Sequence, residues 1–205
     1  MNRRTTFKQL LAILAWGVLG GVAQAAAPEV KAINPPQPSG TSTQIEVLEF
    51  FSYACPHCYT LDPKLRKWES SLKGDVVVKR VPVSFGRSSW AALGRIYTTL
   101  EAMKLADKFG PAVFEAVQLG QVKLQDEKIR NEWLAKTGID VKAFNDTWRS
   151  FGVESLTRRY EQLAVSYKID GVPTLAVNGK FKVVGDDDET LKAVDGLIQK
   201  ARSGK

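Results

Sequence analysis

Apolar residues along the chain fall into blocks of different period. Residues 45–52 are apolar at most positions (Ile45, Val47, Leu48, Phe50, Phe51), with Glu49 interrupting the run. Such a run suits a strand covered on both faces, as in the middle of a parallel sheet. Residues 59–72 change to helical spacing, with Leu61, Leu65 and Trp68 on one face and Leu72 a turn further on. Pro63 lies inside that helix and is expected to kink it. Gly74 closes the unit, and residues 76–85 read as the next strand (Val76, Val77, Val78, then Val81, Val83). Strand, helix and strand at this spacing form a βαβ crossover.

Between residues 87 and 168 no strand pattern occurs. The periodicity predicts five helices there. The first spans 88–105 with Trp90, Leu93, Ile96 and Leu100 as its stripe, and the second spans 109–119 with Pro111 in its first turn. Asp126 opens the third, which carries Ile129, Trp133 and Leu134 and stops at Gly138. Asp140 opens a short fourth with Phe144 and Trp148 four apart, and 153–167 is a long fifth with Leu156, Tyr160, Leu163 and Tyr167 inward. Strands resume at Thr174. Residues 174–177 and 180–184 flank Asn178-Gly179, a type I′ hairpin signal. A last helix over 188–201 turns Leu191, Val194, Leu197 and Ile198 inward. The acids Asp186-Asp187-Asp188-Glu189 before it lack the alternation and glycine turn of a calcium loop, and a helix N-terminus accounts for them. The order implies an α/β protein whose single sheet is interrupted by an all-helical subdomain.

The first 44 residues fit neither period. Residues 1–25 read as a signal peptide: Arg3, Arg4 and Lys8, an apolar stretch over 10–22, then Ala23-Gln24-Ala25 as a cleavage site, with Ala27 a second possible cut. The apolar stretch is short for a membrane span. Residues 26–44 are rich in Pro, Ser, Thr and Gly, and Pro35-Pro36-Gln37-Pro38 argues for a flexible arm. The remaining divisions are 45–86, the helical insertion over 87–168, and 169–205. Composition adds little: 44% hydrophobic and 25% charged residues are ordinary for a globular chain. The net charge of +7 does not point to nucleic acid, because three of those charges lie in the signal segment and elsewhere both signs alternate. Export places the cysteines in an oxidising compartment.

Both cysteines and the one histidine fall in four consecutive residues, Cys55-Pro56-His57-Cys58, between the first strand and the first helix. A structural zinc site needs four ligands, and the chain offers three of these types, all within one turn. Covalent haem requires histidine directly after the second cysteine, where Tyr59 stands. A structural disulfide closing so short a loop removes little unfolded-state entropy. Dithiol–disulfide exchange needs no cofactor beyond the two thiols. The spacing puts Cys55 at the helix N-cap, where free backbone N–H groups favour a thiolate, with Pro56 at N1. Cys55 is then the exposed, attacked sulfur and Cys58 the covered, resolving one. His57 is placed to offer Cys55 a hydrogen bond or a positive charge. Favouring the thiolate favours the reduced form and makes the disulfide oxidising. Glu49 has two readings: a buried acid with raised pKa relaying a proton to or from Cys58, or a solvated sheet position.

Residues 49–59, Glu-Phe-Phe-Ser-Tyr-Ala-Cys-Pro-His-Cys-Tyr, closely resemble the active-site stretch of the DsbA family. Gly171-Val172-Pro173-Thr174, followed by Val177-Asn178-Gly179-Lys180, resembles its second signature. The resemblance runs from about residue 45 to the last helix. It implies a thioredoxin fold with a helical insertion and a periplasmic enzyme that passes its Cys55–Cys58 disulfide to newly exported, unfolded polypeptides. It implies a cis Val172-Pro173 bond facing the disulfide, with Val172, Pro173 and Thr174 binding an extended substrate segment. It also implies a monomer, a buried role for Glu49, and reoxidation by a quinone-linked membrane protein resembling DsbB. The family pairs its acid with lysine; here Arg80, beside Lys79, occupies that position, and arginine does not give up a proton readily. Two other readings remain: an isomerase or reductant, and a peptide-binding holdase with an inert disulfide. The arm is too short for the dimerisation domain that related isomerases carry.

Overall fold

The computed structural model describes residues 28–40 and 43–204. The signal-peptide reading of residues 1–25 falls outside them. Among the described residues the chain forms β1 (Val30–Ala32), β2 (Ile45–Phe51), α1 (Pro56–Ser70), β3 (Val76–Pro82), α2 (Ser88–Ala102), α3 (Ala106–Gln118), α4 (Glu127–Thr137), α5 (Val141–Trp148), α6 (Phe151–Ser166), β4 (Thr174–Val177), β5 (Phe181–Val184) and α7 (Asp188–Arg202).

The strands make one sheet in the order β1-β5-β4-β2-β3. β2 pairs with β3 in parallel, as the βαβ reading requires, and antiparallel with β4. Flanked on both edges and covered on both faces, β2 is buried from Glu46 through Phe51. Its alternating side chains feed two cores. Val47 joins Leu61 and Leu65 of α1, Val177, Val183 and the inner face of α7. Leu48 and Phe50 face the other way, into a core shared with Val81 and the helices of the insertion. Glu49 follows Val47 by two residues and so shares the α1 side of the sheet. This alternation places an acid beneath the helix that carries the cysteines.

The helix ends follow their capping residues. Asp126 accepts from the Ile129 backbone N–H at 3.0 Å, Asp140 from Ala143 at 2.9 Å, and Gly138 closes α4 at φ 80°. The hairpin turn has positive φ at Asn178 (50°) and Gly179 (68°), as a type I′ turn demands. Several boundaries differ from the expectation, among them the end of α2, at Ala102 rather than 105. β3 ends at Pro82, because Phe85 and Gly86 turn the chain with positive φ. α3 starts at Ala106, which places Pro111 inside the helix rather than in its first turn. α6 begins at Phe151, where the Ser150 hydroxyl caps the Val153 N–H.

The arm is the larger correction. Residues 30–32 form an edge strand on β5, with Val30 opposite Val183 and Ala32 opposite Phe181. Ile33 is buried, its N–H donating to the Lys180 carbonyl, and Gln37 N–H donates to the Gly179 carbonyl. The prolines come after the strand, so their missing N–H groups cost the ladder nothing. The arm passes so close that a Cβ on Gly179 would fall 1.9 Å from the Gln37 carbonyl oxygen.

Candidate active site

The chain enters the site from the end of β2. The Ser52 carbonyl accepts from Cys55 N–H at 3.0 Å, and the Ser52 hydroxyl accepts from Ala54 N–H at 3.2 Å. Tyr53 packs edge-on against Phe51 and Phe114, and Gln118 of α3 donates to its carbonyl at 2.7 Å, tying the turn to the insertion. Cys55 is the N-cap of α1 with extended φ and ψ, Pro56 is in its first turn, and no acid lies in that turn to oppose an anion. Cys58 lies one turn inside, wholly buried. Both cysteines are free thiols. Cys55 is less exposed than the sequence suggests, at 6%, with the Val172 carbonyl against its sulfur.

The Val172-Pro173 peptide is cis, and the Val172 carbonyl accepts from Cys55 Sγ at 3.3 Å. Thr174 begins β4, and its hydroxyl donates to the Gly171 carbonyl at 2.8 Å. Val172 therefore lies against Cys55, though more than a hundred residues away in the chain, with Pro173 and Thr174 following it.

The two thiols are held at different acidities. Cys55 is lowered to about 6. The hydrogen bond from the Cys58 thiol is the chief cause; the backbone N–H groups of Cys58 and His57 assist, and burial opposes. Cys58 is pushed far up, first by burial, then by its hydrogen bond to Cys55 and the neighbouring negative charge. Of the two, Cys55 is thus the one that ionises readily, giving up the proton its thiol donates to the Val172 carbonyl, while Cys58 stays a thiol.

The short contact of His57 is with Asp186, while its charge still acts on Cys55. Nδ1 lies 2.8 Å from Asp186 Oδ2, and the side chain is 74% exposed. Asp186 raises the His57 pKa by hydrogen bonding and by charge. The ring's charge helps to lower Cys55, after the Cys58 thiol and the backbone N–H groups. Asp186 was legible only as one acid in a helix-start cluster. That its loop returns to α1 is a tertiary fact.

Glu49 is buried, and the solvated-sheet reading fails. The register sets it beside Arg80, with Nε 3.1 Å from Oε2, while Lys79 pairs with Glu46. Arg80 also reaches Glu69 of α1 at 2.9 Å, and Asp62 is held by Arg66 beside them. Burial raises Glu49 to about 7 against the pull of Arg80. A carboxyl bound more tightly to its proton in the folded state stabilises below its unfolded pKa, and that stability is lost as pH climbs through the folded value. From about 4.5 to about 7 this amounts to roughly 3 kcal/mol. Glu49→Gln is expected to remove that pH-dependent portion, which denaturation from about pH 4 to 8 on both proteins measures. Parallel pH profiles for the two proteins would assign no such titration to Glu49.

A pair of cysteines at a helix start, one acidic and one buried, facing a cis-proline loop at the end of a central strand, defines a thiol:disulfide oxidoreductase of thioredoxin-like fold. The particular branch follows from comparison. Residues 46–193 match the family model described as DSBA-like thioredoxin domain, and the chain belongs to that family. It is 39% identical to the thiol:disulfide interchange protein DsbA of Bordetella pertussis over 97% of this chain and 98% of that one. It is 36% identical to the protein of that name from Pseudomonas aeruginosa PAO1, over 95% and 96%. The crystal structure of Pseudomonas aeruginosa DsbA superposes with a TM-score of 0.82 at 36% identity, over 86% of this chain and 94% of that one.

Proposed function

We propose that this protein is a disulfide oxidase acting on unfolded polypeptides in the periplasm. The observation that supports this most is the split between the two thiols, Cys55 near 6 and Cys58 far above its ordinary value. A stabilised thiolate in the reduced form makes the oxidised form a strong electron acceptor.

In the reaction, a substrate thiolate attacks Cys55 Sγ of the disulfide. The Cys55–Cys58 bond breaks, a substrate–Cys55 disulfide forms, and Cys58 takes up a proton. A second substrate thiolate then attacks the substrate sulfur of that mixed disulfide. The substrate disulfide forms and Cys55 leaves as thiolate. Two electrons pass from substrate to enzyme. A low-pKa thiol leaves readily, which favours the second step. Glu49, beneath α1 and titrating near 7, serves as the proton source for Cys58 in the first step. Arg80 acts in this relay as a fixed positive charge. The Val172 backbone holds the substrate as an added strand beside Cys55, with Pro173 and Thr174 shaping that edge.

Reoxidation falls to a DsbB-like, quinone-linked membrane protein: the Cys55 thiolate attacks that protein's disulfide, Cys58 then displaces it to restore the Cys55–Cys58 bond, and the two electrons pass on to quinone. The test is direct: mix the oxidised protein with a reduced, unfolded polypeptide and count substrate disulfides. One substrate disulfide formed per oxidised protein reduced supports the reading, and no transfer refutes it.

A further inference from the structure

Asp186 lies in the loop between β5 and α7, 129 residues from His57. Its position is fixed from both sides. Lys64, seven residues after His57 on α1, donates to the Asp186 carbonyl at 3.0 Å. The next residue, Asp187, caps α7, accepting from the Thr190 N–H at 2.8 Å and hydroxyl at 2.7 Å. The Asp186 carboxylate is thereby held over the first turn of α1, where it takes the His57 ring at Nδ1.

The His57 ring acts on two anions: its short contact is with Asp186, and its charge also acts on Cys55. We propose that Asp186 is a positioning residue that competes with the Cys55 thiolate for His57, and so makes this protein a milder oxidant than its Cys-Pro-His-Cys motif alone would give. The inference rests on the reading of Cys55 as the reactive thiolate. The charged groups around the ring are Asp186 from the β5–α7 loop, Cys55 from the turn before α1, and Lys64 on α1, whose ammonium is committed to the Asp186 carbonyl. On Cys55 the Cys58 thiol and the backbone N–H groups act more strongly than the charge of the Asp186-bound ring. An exposed ion pair is individually weak, so the ring is free to exchange partners once the carboxylate is removed.

Asp186→Asn keeps the shape of the side chain and the backbone contact to Lys64 while removing the charge. The only histidine of the chain gives a single imidazole resonance to follow. In the oxidised protein, which has no thiolate, the His57 pKa falls in the variant. In the reduced protein the ring turns to Cys55, and the Cys55 pKa, read from thiolate absorbance, falls by about half to one unit. The equilibrium with glutathione shifts by about three- to tenfold toward the reduced protein. In a His57→Ala background the same substitution has no effect on Cys55. An unchanged or raised Cys55 pKa in Asp186→Asn overturns the proposal. A shift that persists in the His57→Ala background also overturns it, by showing that Asp186 acts directly rather than through the ring. A wild-type Cys55 titrating near 9 would instead sink the oxidase reading, and is a separate result.

Discussion

Cys55→Ala is expected to abolish oxidation of a reduced polypeptide, leaving only the uncatalysed rate. The remaining thiol cannot substitute. Cys58 is fully buried one turn inside α1, and burial holds it protonated far above neutral pH. The thiolate is the nucleophile, so a buried thiol is chemically silent. A thiol reagent should find no fast-reacting group in the folded variant and one in denaturant. The assay also separates an oxidase from a holdase. A peptide-binding surface would keep suppressing aggregation without Cys55, whereas disulfide transfer requires it. Retained transfer in Cys55→Ala would place the chemistry elsewhere.

Cys58→Ala is expected to be as damaging, in a different way. Without Cys58 no internal disulfide forms, so net oxidation stops. Cys55 can still attack a disulfide, and the resulting mixed disulfide has no neighbour to resolve it. Covalent complexes should accumulate on non-reducing gels and vanish with reductant. A second effect follows from the source of the Cys55 acidity. The Cys58 thiol is the largest cause of the low pKa, ahead of the helix-start N–H groups. Its loss should move Cys55 upward from about 6, toward the ordinary cysteine value. A Cys55 pKa unchanged in Cys58→Ala would credit the acidity to the helix start instead, contrary to the geometry described above.

The site was legible in the chain wherever local spacing decides geometry. Two cysteines three apart, with proline between, fix an N-cap and a buried thiol whatever the rest of the fold does. The near-continuous apolar run over residues 45–52 likewise told of a strand covered on both faces with an acid in it. Arg80 was set against Glu49 only by the family resemblance, with Lys79 open as the alternative, and the register of β2 on β3 decides for Arg80. What local spacing cannot supply is the return of distant segments. Asp186 meets His57 only because the β5–α7 loop lands over α1, and that depends on the hairpin and the last helix together. The arm is a similar case. Its prolines read as disorder, but the three residues before them are sufficient to cover the open edge of β5, and only the sheet order reveals that edge. Cys55 was expected to be open and is mostly covered, and the Val172 carbonyl against its sulfur comes from the far end of the chain.

The central claim is that the site stabilises the Cys55 thiolate and thereby makes the disulfide oxidising. Equilibrating the protein in glutathione redox buffers and measuring the fraction oxidised tests it most directly. The account predicts a reduction potential well above the roughly −270 mV of thioredoxin, so that the protein stays reduced in buffers that oxidise ordinary structural dithiols. A potential at or below that value would contradict it.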